Sequence, residues 1–200
     1  MRLCHHSTRF ILISTQHNEN VGAAARAIKT MGFDDLALVS PRDKKVLGRH
    51  KVIQMSSGAI DVLRNAKIYT TLHEAIEDRD VVCGTGMPDF DLYRDKSRVV
   101  KLQHVEPRVY FDELLQSRCY KRINIDTKDD NEGAEGNDDQ AVRLAIVFGS
   151  EQTGMSESDM AQCDVMLGIP TNPNFGSLNV AAAAQLIAYD WRMAIGWDEQ

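Results

Sequence analysis

The sequence predicts an α/β fold in which a parallel sheet is flanked by helices, and three observations carry that prediction. Short apolar runs alternate with helical stretches along the chain; glycine or proline marks several of the joins; and the strongest run, Leu144–Phe148 (LAIVF), is bounded by Gly149. Alternation of this kind sets strands in parallel with helices covering them.

Taken in order, Arg9–Ser14 (RFILIS) reads as a strand, Thr15–Asn20 as a polar turn, and Val21–Met31 as an alanine-rich helix that Gly32 stops. Asp35–Val39 is a second strand closed by Ser40 and Pro41, and a helical stretch from Val52 to Arg64 follows. Lys67–Tyr69 and Val81–Cys83 are short strands separated by a helix near Leu72–Asp78, and a further helix lies near Val109–Ser117. After LAIVF come the last strand, Val165–Ile169, and the polar run Pro170–Gly176, which leads into a long helix, Leu178–Ile195. No repeat or linker interrupts these elements. Residues 1–200 are therefore expected to form one domain, and 43% hydrophobic content is enough for one core.

Composition narrows the function. No run approaches the roughly 18 consecutive apolar residues of a membrane span, and Met1–Ser7 lacks the apolar stretch of a secretory signal, so a cytoplasmic protein is expected. Cys4, Cys83, Cys119 and Cys163 are scattered with no CxxC pair and no zinc-ligand spacing, and neither they nor His5-His6 predict a metal site; free thiols in a reducing compartment are expected. The formal net charge of −6 argues against an anionic partner until its distribution is read: Asp126–Asp139 (DTKDDNEGAEGNDD) holds seven of the 29 acidic residues and one of the 23 basic ones, leaving 22 of each elsewhere. That stretch has no apolar anchor and no EF-hand spacing, and reads as a solvated, mobile insertion. Arg42, Lys44, Lys45, Arg49, His50 and Lys51 form a basic loop after the second strand, a candidate surface for RNA.

Three glycine-containing loops follow strands: Thr85-Gly86, Gly149-Ser150-Glu151, and Gly176-Ser177-Leu178-Asn179 before the final helix. Loops at the carboxyl ends of parallel strands are where ligands bind, and glycine lets backbone approach a ligand closely. Neither GxGxxG nor GxxxxGK[ST] is present, so the common nucleotide fingerprints are missing.

Together with Asn20-Val21-Gly22-Ala23-Ala24-Ala25-Arg26, the runs Phe148–Gly154 (FGSEQTG) and Ile169–Met193 (IPTNPNFGSLNVAAAAQLIAYDWRM) resemble, in the right order, the three motifs of the knotted SPOUT RNA ribose methyltransferases. The resemblance runs from about Phe10 to Met193, and within the family it lies closest to the enzymes that 2′-O-methylate nucleotide 32 of the tRNA anticodon loop. It implies a deep trefoil knot over Gly149–Asn179, S-adenosylmethionine as cofactor, tRNA as substrate, a homodimer, and no metal or membrane. The cofactor pocket would use Thr85, Gly86, Met87, Gly149, Ile169, Gly176, Ser177 and Leu178. Arg26 would reach the partner's cofactor as the catalytic arginine, with Asn20, Glu151, Ser177 and Asn179 completing the catalytic set.

Physical chemistry limits what an arginine can do there. Deprotonating a guanidinium near pH 7 costs roughly 7 kcal/mol, so orienting the 2′-hydroxyl and stabilising the developing alkoxide is the favoured role. The relatives read Gly-Thr-Ser-Ala-Arg where this chain has Gly84-Thr85-Gly86-Met87-Pro88; Arg94 is the nearby replacement for the missing cation. They also carry a C-terminal extension that aids tRNA binding, which makes this chain read as a catalytic domain taken from a longer protein. The alternatives are an rRNA or another tRNA position as substrate, or a noncatalytic knotted RNA-binding relative.

Overall fold

Alternate residues of each central strand enter two different cores, which is why these strands read as unbroken apolar runs. The computed structural model describes residues 7–86, 104–125, 142–172 and 174–197. Seven strands form one sheet, β1 (Ser7–Ile13), β2 (Asp35–Val39), β3 (Lys67–Tyr69), β4 (Val81–Gly86), β5 (His104–Val105), β6 (Arg143–Phe148) and β7 (Val165–Gly168). Their order is β3-β2-β1-β6-β4-β7-β5 and every pairing is parallel. The expected parallel sheet flanked by helices is what forms.

Seven helices of more than three residues accompany the strands among the described residues: α1 (Asn18–Thr30), α2 (His50–Ser56), α3 (Ile60–Asn65), α4 (Leu72–Ile76), α5 (Pro107–Ile125), α6 (Glu157–Met160) and α7 (Val180–Ile195). On one face Phe10, Leu12, Leu36, Leu38, Leu144 and Ile146 pack with residues of α1, α2, α3, α5 and α7. On the other, Ile11, Ile13, Val39, Ala145 and Val147 pack with Leu72 and Ala75 of α4 and with Met155 and Met160 at α6. Among the described residues, no helix is long and apolar enough to cross a membrane.

Several boundaries differ from the sequence reading. The single helical stretch expected over Val52–Arg64 is two helices, because Ser57 takes a positive φ of 51° and the Ser56 hydroxyl bonds back to the carbonyl of Ile53 at 2.8 Å. β4 runs on through Thr85 and Gly86, which pair with Leu167 and Gly168 of β7, so the expected glycine loop there begins as strand. β5 and α6 were not expected. α1 begins three residues earlier than expected, and α5 spans more than the Val109–Ser117 core. Met87, Pro88, Arg94, the Asp126–Asp139 insertion, His5, His6 and Cys4 lie outside the described residues, as does the side chain of Cys119.

α1 ends where expected. The N–H groups of Met31, Gly32 and Phe33 bond to carbonyls of its last turns, and Gly32 supplies the positive φ of 78°. Arg192 of α7 donates to the carbonyls of Met31 at 2.8 Å and Gly32 at 3.2 Å, with its guanidinium 4.6 Å from the Phe33 ring centre. A cation at a helix C-terminus thereby joins α1 to α7.

On the sheet's opposite face, at the same amino end, the Arg9 side chain is 7% exposed and pairs with Asp35 at 3.0 Å and Asp78 at 2.8 Å. Burial alone would lower its pKa, but hydrogen bonding to Asp35 and the charges of Asp35 and Asp78 leave it raised, so the cation is kept.

α1 and α2 meet at Gly22, where a Cβ would fall on the carbonyl oxygen of Val52 and 3.0 Å from Met55 Cβ. A backbone carbonyl cannot swing aside as a side chain does. Gly22→Ala is therefore expected to destabilise the fold by about 3 kcal/mol, the upper end of usual overpacking costs, read as a lower urea midpoint with unchanged slope.

Candidate active site

A cavity of about 430 Å³ opens at the carboxyl ends of β4, β6 and β7, a volume within the range of small-molecule sites. Thr85 and Gly86 enter from β4, Phe148 from β6, Leu167 and Ile169 from the end of β7, and Gly176, Ser177 and Leu178 from the segment before α7. Every candidate cofactor residue that the structure describes lines this cavity: Thr85, Gly86, Gly149, Ile169, Gly176, Ser177 and Leu178. Met87 lies outside the described residues.

The loop after β6 is folded back on itself. Ser150 and Gly154 exchange backbone hydrogen bonds of 3.0 and 2.8 Å, bringing their backbone against Gly149. A Cβ on Gly149 would fall on the carbonyl carbon of Gly154 and the nitrogen of Met155, so only glycine fits. Thr85 fastens the opposite wall by donating its hydroxyl to the carbonyl of Val147 at 3.0 Å.

Three candidate catalytic residues far apart in sequence form one hydrogen-bonded chain at the cavity's edge. Asn20 donates its amide to Glu151 at 2.8 Å and accepts from the amide of Asn179 at 2.9 Å. Glu151 also accepts the backbone N–H of Gln16 at 2.9 Å and, at 3.5 Å, that of His17. The other end of Asn179 caps α7, its Oδ1 accepting the N–H of Ala181 at 2.9 Å. The β1–α1 loop, the β6–α6 loop and the start of α7 are thus tied together by neutral amides around one carboxylate. Glu151 holds the loop through Gln16, His17 and Asn20, and Arg26 of the same chain is exposed on α1, outside the cavity lining.

The basic surface differs from the expected loop. Arg42, Lys44 and Lys45 are exposed after β2, but Arg49 immediately precedes α2, and His50 and Lys51 are its first residues. Arg49 hydrogen-bonds Asp43 and, with the Lys45 N–H and Asn18, holds its carboxyl down at about 2. Lys51 pairs with Glu19 at 3.0 Å. None of these six residues lines the cavity.

Burial disfavours the thiolate form at both described cysteine side chains near the site, Cys83 and Cys163. Burial pushes Cys163 up to about 12, with Asp164 and Asp159 adding to the effect, and it pushes Cys83 well above the thiol range. Among the described residues, no group of three His, Cys, Asp or Glu side chains is placed to hold a metal ion.

The sequence reading missed His17 and the apolar lining of Met155, Met160, Met166 and Ile187. His17 sits within the polar turn that leads to Asn20, which was the available signal. The methionines carry none, since thioethers are ordinary core residues.

A parallel sheet with a ligand-sized cavity at its carboxyl edge, edged by polar amides and one carboxylate, defines an α/β protein with a cavity where folds of this class bind ligands. The model of the SpoU rRNA Methylase family matches residues 7–107 and 93–189, and the chain belongs to this SpoU methylase family. The tRNA (cytidine/uridine-2′-O-)-methyltransferase TrmJ of Photorhabdus laumondii is 35% identical over 186 residues, covering 93% of this chain and 64% of that protein. A probable methyltransferase from Bordetella pertussis superposes with a TM-score of 0.71 at 32% identity, covering 95% of this chain and 96% of that one. The SpoU methyltransferase AviRb of Streptomyces viridochromogenes, solved in complex with AdoMet, shares the fold at TM-score 0.61 and 17% identity, covering 98% of this chain and 61% of that one. The chain spans about three-fifths of the length of the curated relatives it matches.

Proposed function

We propose that this chain, a single cytoplasmic domain working as a homodimer, transfers the methyl group of S-adenosylmethionine to a ribose 2′-oxygen of tRNA at nucleotide 32. The observation that carries the reading is the cavity itself, with Asn20, Glu151 and Asn179 joined along its edge. Its residues suit the cofactor: Leu167, Ile169 and Ile187 give an aromatic base an apolar wall, while the backbone around Gly149 and Gly176 offers polar groups. When bound, S-adenosylmethionine supplies an electrophilic methyl group on a sulfonium, so the protein's task is alignment and charge stabilisation.

Thr85, Gly86, Gly149, Ile169, Gly176, Ser177 and Leu178 would hold the cofactor, joined by Met87. Ser177 and Asn179 would border the ribose, and Arg26 would reach across a dimer to steady the alkoxide. Arg26's exposure on α1 supports that placement, and Leu186, Tyr189 and Met193 form an exposed apolar stripe on α7 of the kind that subunit contact covers. Gly149–Asn179 would form the knot. Arg42, Lys44, Lys45, Arg49 and Lys51 would meet tRNA phosphates, and this part predicts salt-sensitive RNA affinity.

The test is methyl transfer from labelled cofactor to bulk tRNA, to a tRNA carrying 2′-deoxyribose at nucleotide 32, and to rRNA. Label in bulk tRNA, absent from the 32-deoxy substrate, is expected. Label only in rRNA would establish the alternative substrate, and no label in any RNA would establish a noncatalytic relative.

A further inference from the structure

We propose that His17 accepts the proton of the 2′-hydroxyl as the methyl group is transferred; this rests on the methyltransferase reading above. The cavity supplies few candidates. Among the described residues that line it, His17 and Glu151 are the only titratable side chains. A guanidinium can stabilise an alkoxide but does not take up a proton near neutrality.

Glu151 is already engaged. Its two oxygens accept from Gln16 N–H, His17 N–H and the Asn20 amide, and protonating it would disrupt the contacts that fix the β1–α1 loop. His17 is placed differently. Its N–H faces Glu151 and its carbonyl accepts the N–H of Asn20 at 3.0 Å, so the backbone is pinned on both sides. It precedes α1 in an extended conformation, φ −110° and ψ 112°, and its imidazole has no hydrogen-bond partner among the described residues. An exposed imidazole is thus carried at the cavity wall by a fixed backbone, one residue type that changes charge near physiological pH.

Two carboxylates and one paired lysine surround His17. Glu151 faces His17 from the β6–α6 loop and Glu19 from α1, and Lys51 of α2 is paired to Glu19. The step balances without an oxidant or metal. The 2′ O–H bond breaks and its proton passes to an imidazole nitrogen, while an oxygen lone pair forms the new bond to the methyl carbon. The carbon–sulfur bond breaks with both electrons staying on sulfur, so the positive charge leaves the sulfonium and appears on the imidazolium, which then loses its proton to water.

The experiment compares the dimeric wild-type chain with His17→Asn, which keeps a residue favoured at a helix N-cap. Single-turnover methyl transfer to tRNA is followed against pH, and S-adenosylhomocysteine binding is measured by calorimetry. The wild-type rate is expected to rise with pH and level off, as a step that needs a free base does. His17→Asn should be about 10²-fold slower and lack that limb, with S-adenosylhomocysteine affinity within about twofold of wild type. A rate within about threefold of wild type, with the limb intact, would overturn the role of His17 and leave the methyltransferase reading standing. Parallel loss of affinity and rate would also overturn it, making His17 structural. No transfer by the wild-type chain at any pH would overturn both.

Discussion

Arg26→Ala is expected to slow methyl transfer by about 10²–10³-fold, the usual effect of removing one donor from a developing oxyanion, while S-adenosylhomocysteine binds within about twofold of wild type. The separation follows from where Arg26 stands. It is exposed on α1 and lines none of its own chain's cavity, so truncation removes nothing that holds the cofactor in that subunit. Lysine is not a sufficient replacement, because an ammonium lacks the planar fork of donors. Mixed dimers check the cross-subunit placement. One subunit carries Arg26→Ala and the other Gly149→Val, whose side chain collides with Gly154 and Met155 backbone. Such a dimer keeps one intact cavity facing one intact arginine and should recover a substantial part of the rate lost by each parent homodimer. Equal loss of binding and rate in Arg26→Ala would instead make the residue structural.

The second large effect is on stability. Trp191→Ala is expected to cost about 3–5 kcal/mol, measured by urea unfolding. Trp191 of α7 is fully buried, lies 5.0 Å from the Phe111 ring of α5, and donates its indole N–H to Thr8 of β1 at 2.7 Å. One side chain thus joins two helices and the sheet. Alanine leaves a large void and removes the N–H that the Thr8 hydroxyl oxygen accepts, whereas Trp191→Phe retains most of the volume and should cost clearly less. Thr8 is at the amino end of β1, away from the cavity, so folded Trp191→Ala should still bind S-adenosylhomocysteine normally.

Legibility in the sequence followed burial. β2 has the predicted bounds and β6 begins one residue early, because an apolar run covered on both faces leaves a continuous signal; β3 also has its predicted bounds, though it is a largely exposed edge strand. β5 is only His104–Val105, too short for any period to register. β4 continues through Thr85-Gly86 because pairing with β7 outweighs glycine's poor strand preference. α6 has four residues, and its one signal was Ser156-x-x-Asp159, a reciprocal cap in the fold.

The site divides the same way. The motifs supplied Asn20, Glu151 and Asn179, but nothing in their spacing says that the three touch: the contacts span 131 and 159 residues and exist because β6 lies beside β1 and α7 packs on α1. Charge pairing was equally hidden. Glu19, which engages Lys51, sits on α1, and Asp43, inside the basic stretch, folds back on Arg49, so the cluster looked more open in sequence than it is in space.

The sheet order also bears on the timing of biosynthesis. β6 occupies the middle of the sheet and is hydrogen-bonded to β1 on one side and β4 on the other, yet it begins at Arg143. Until that segment leaves the ribosome, β1 and β4 have been made but each has an unoccupied edge toward the position of β6. Long-range parallel pairing of this kind is slow to form, and open strand edges invite pairing with other chains. A nascent chain arrested before residue 143 should therefore be far more prone to aggregate than the finished protein, so chaperone demand would peak during translation.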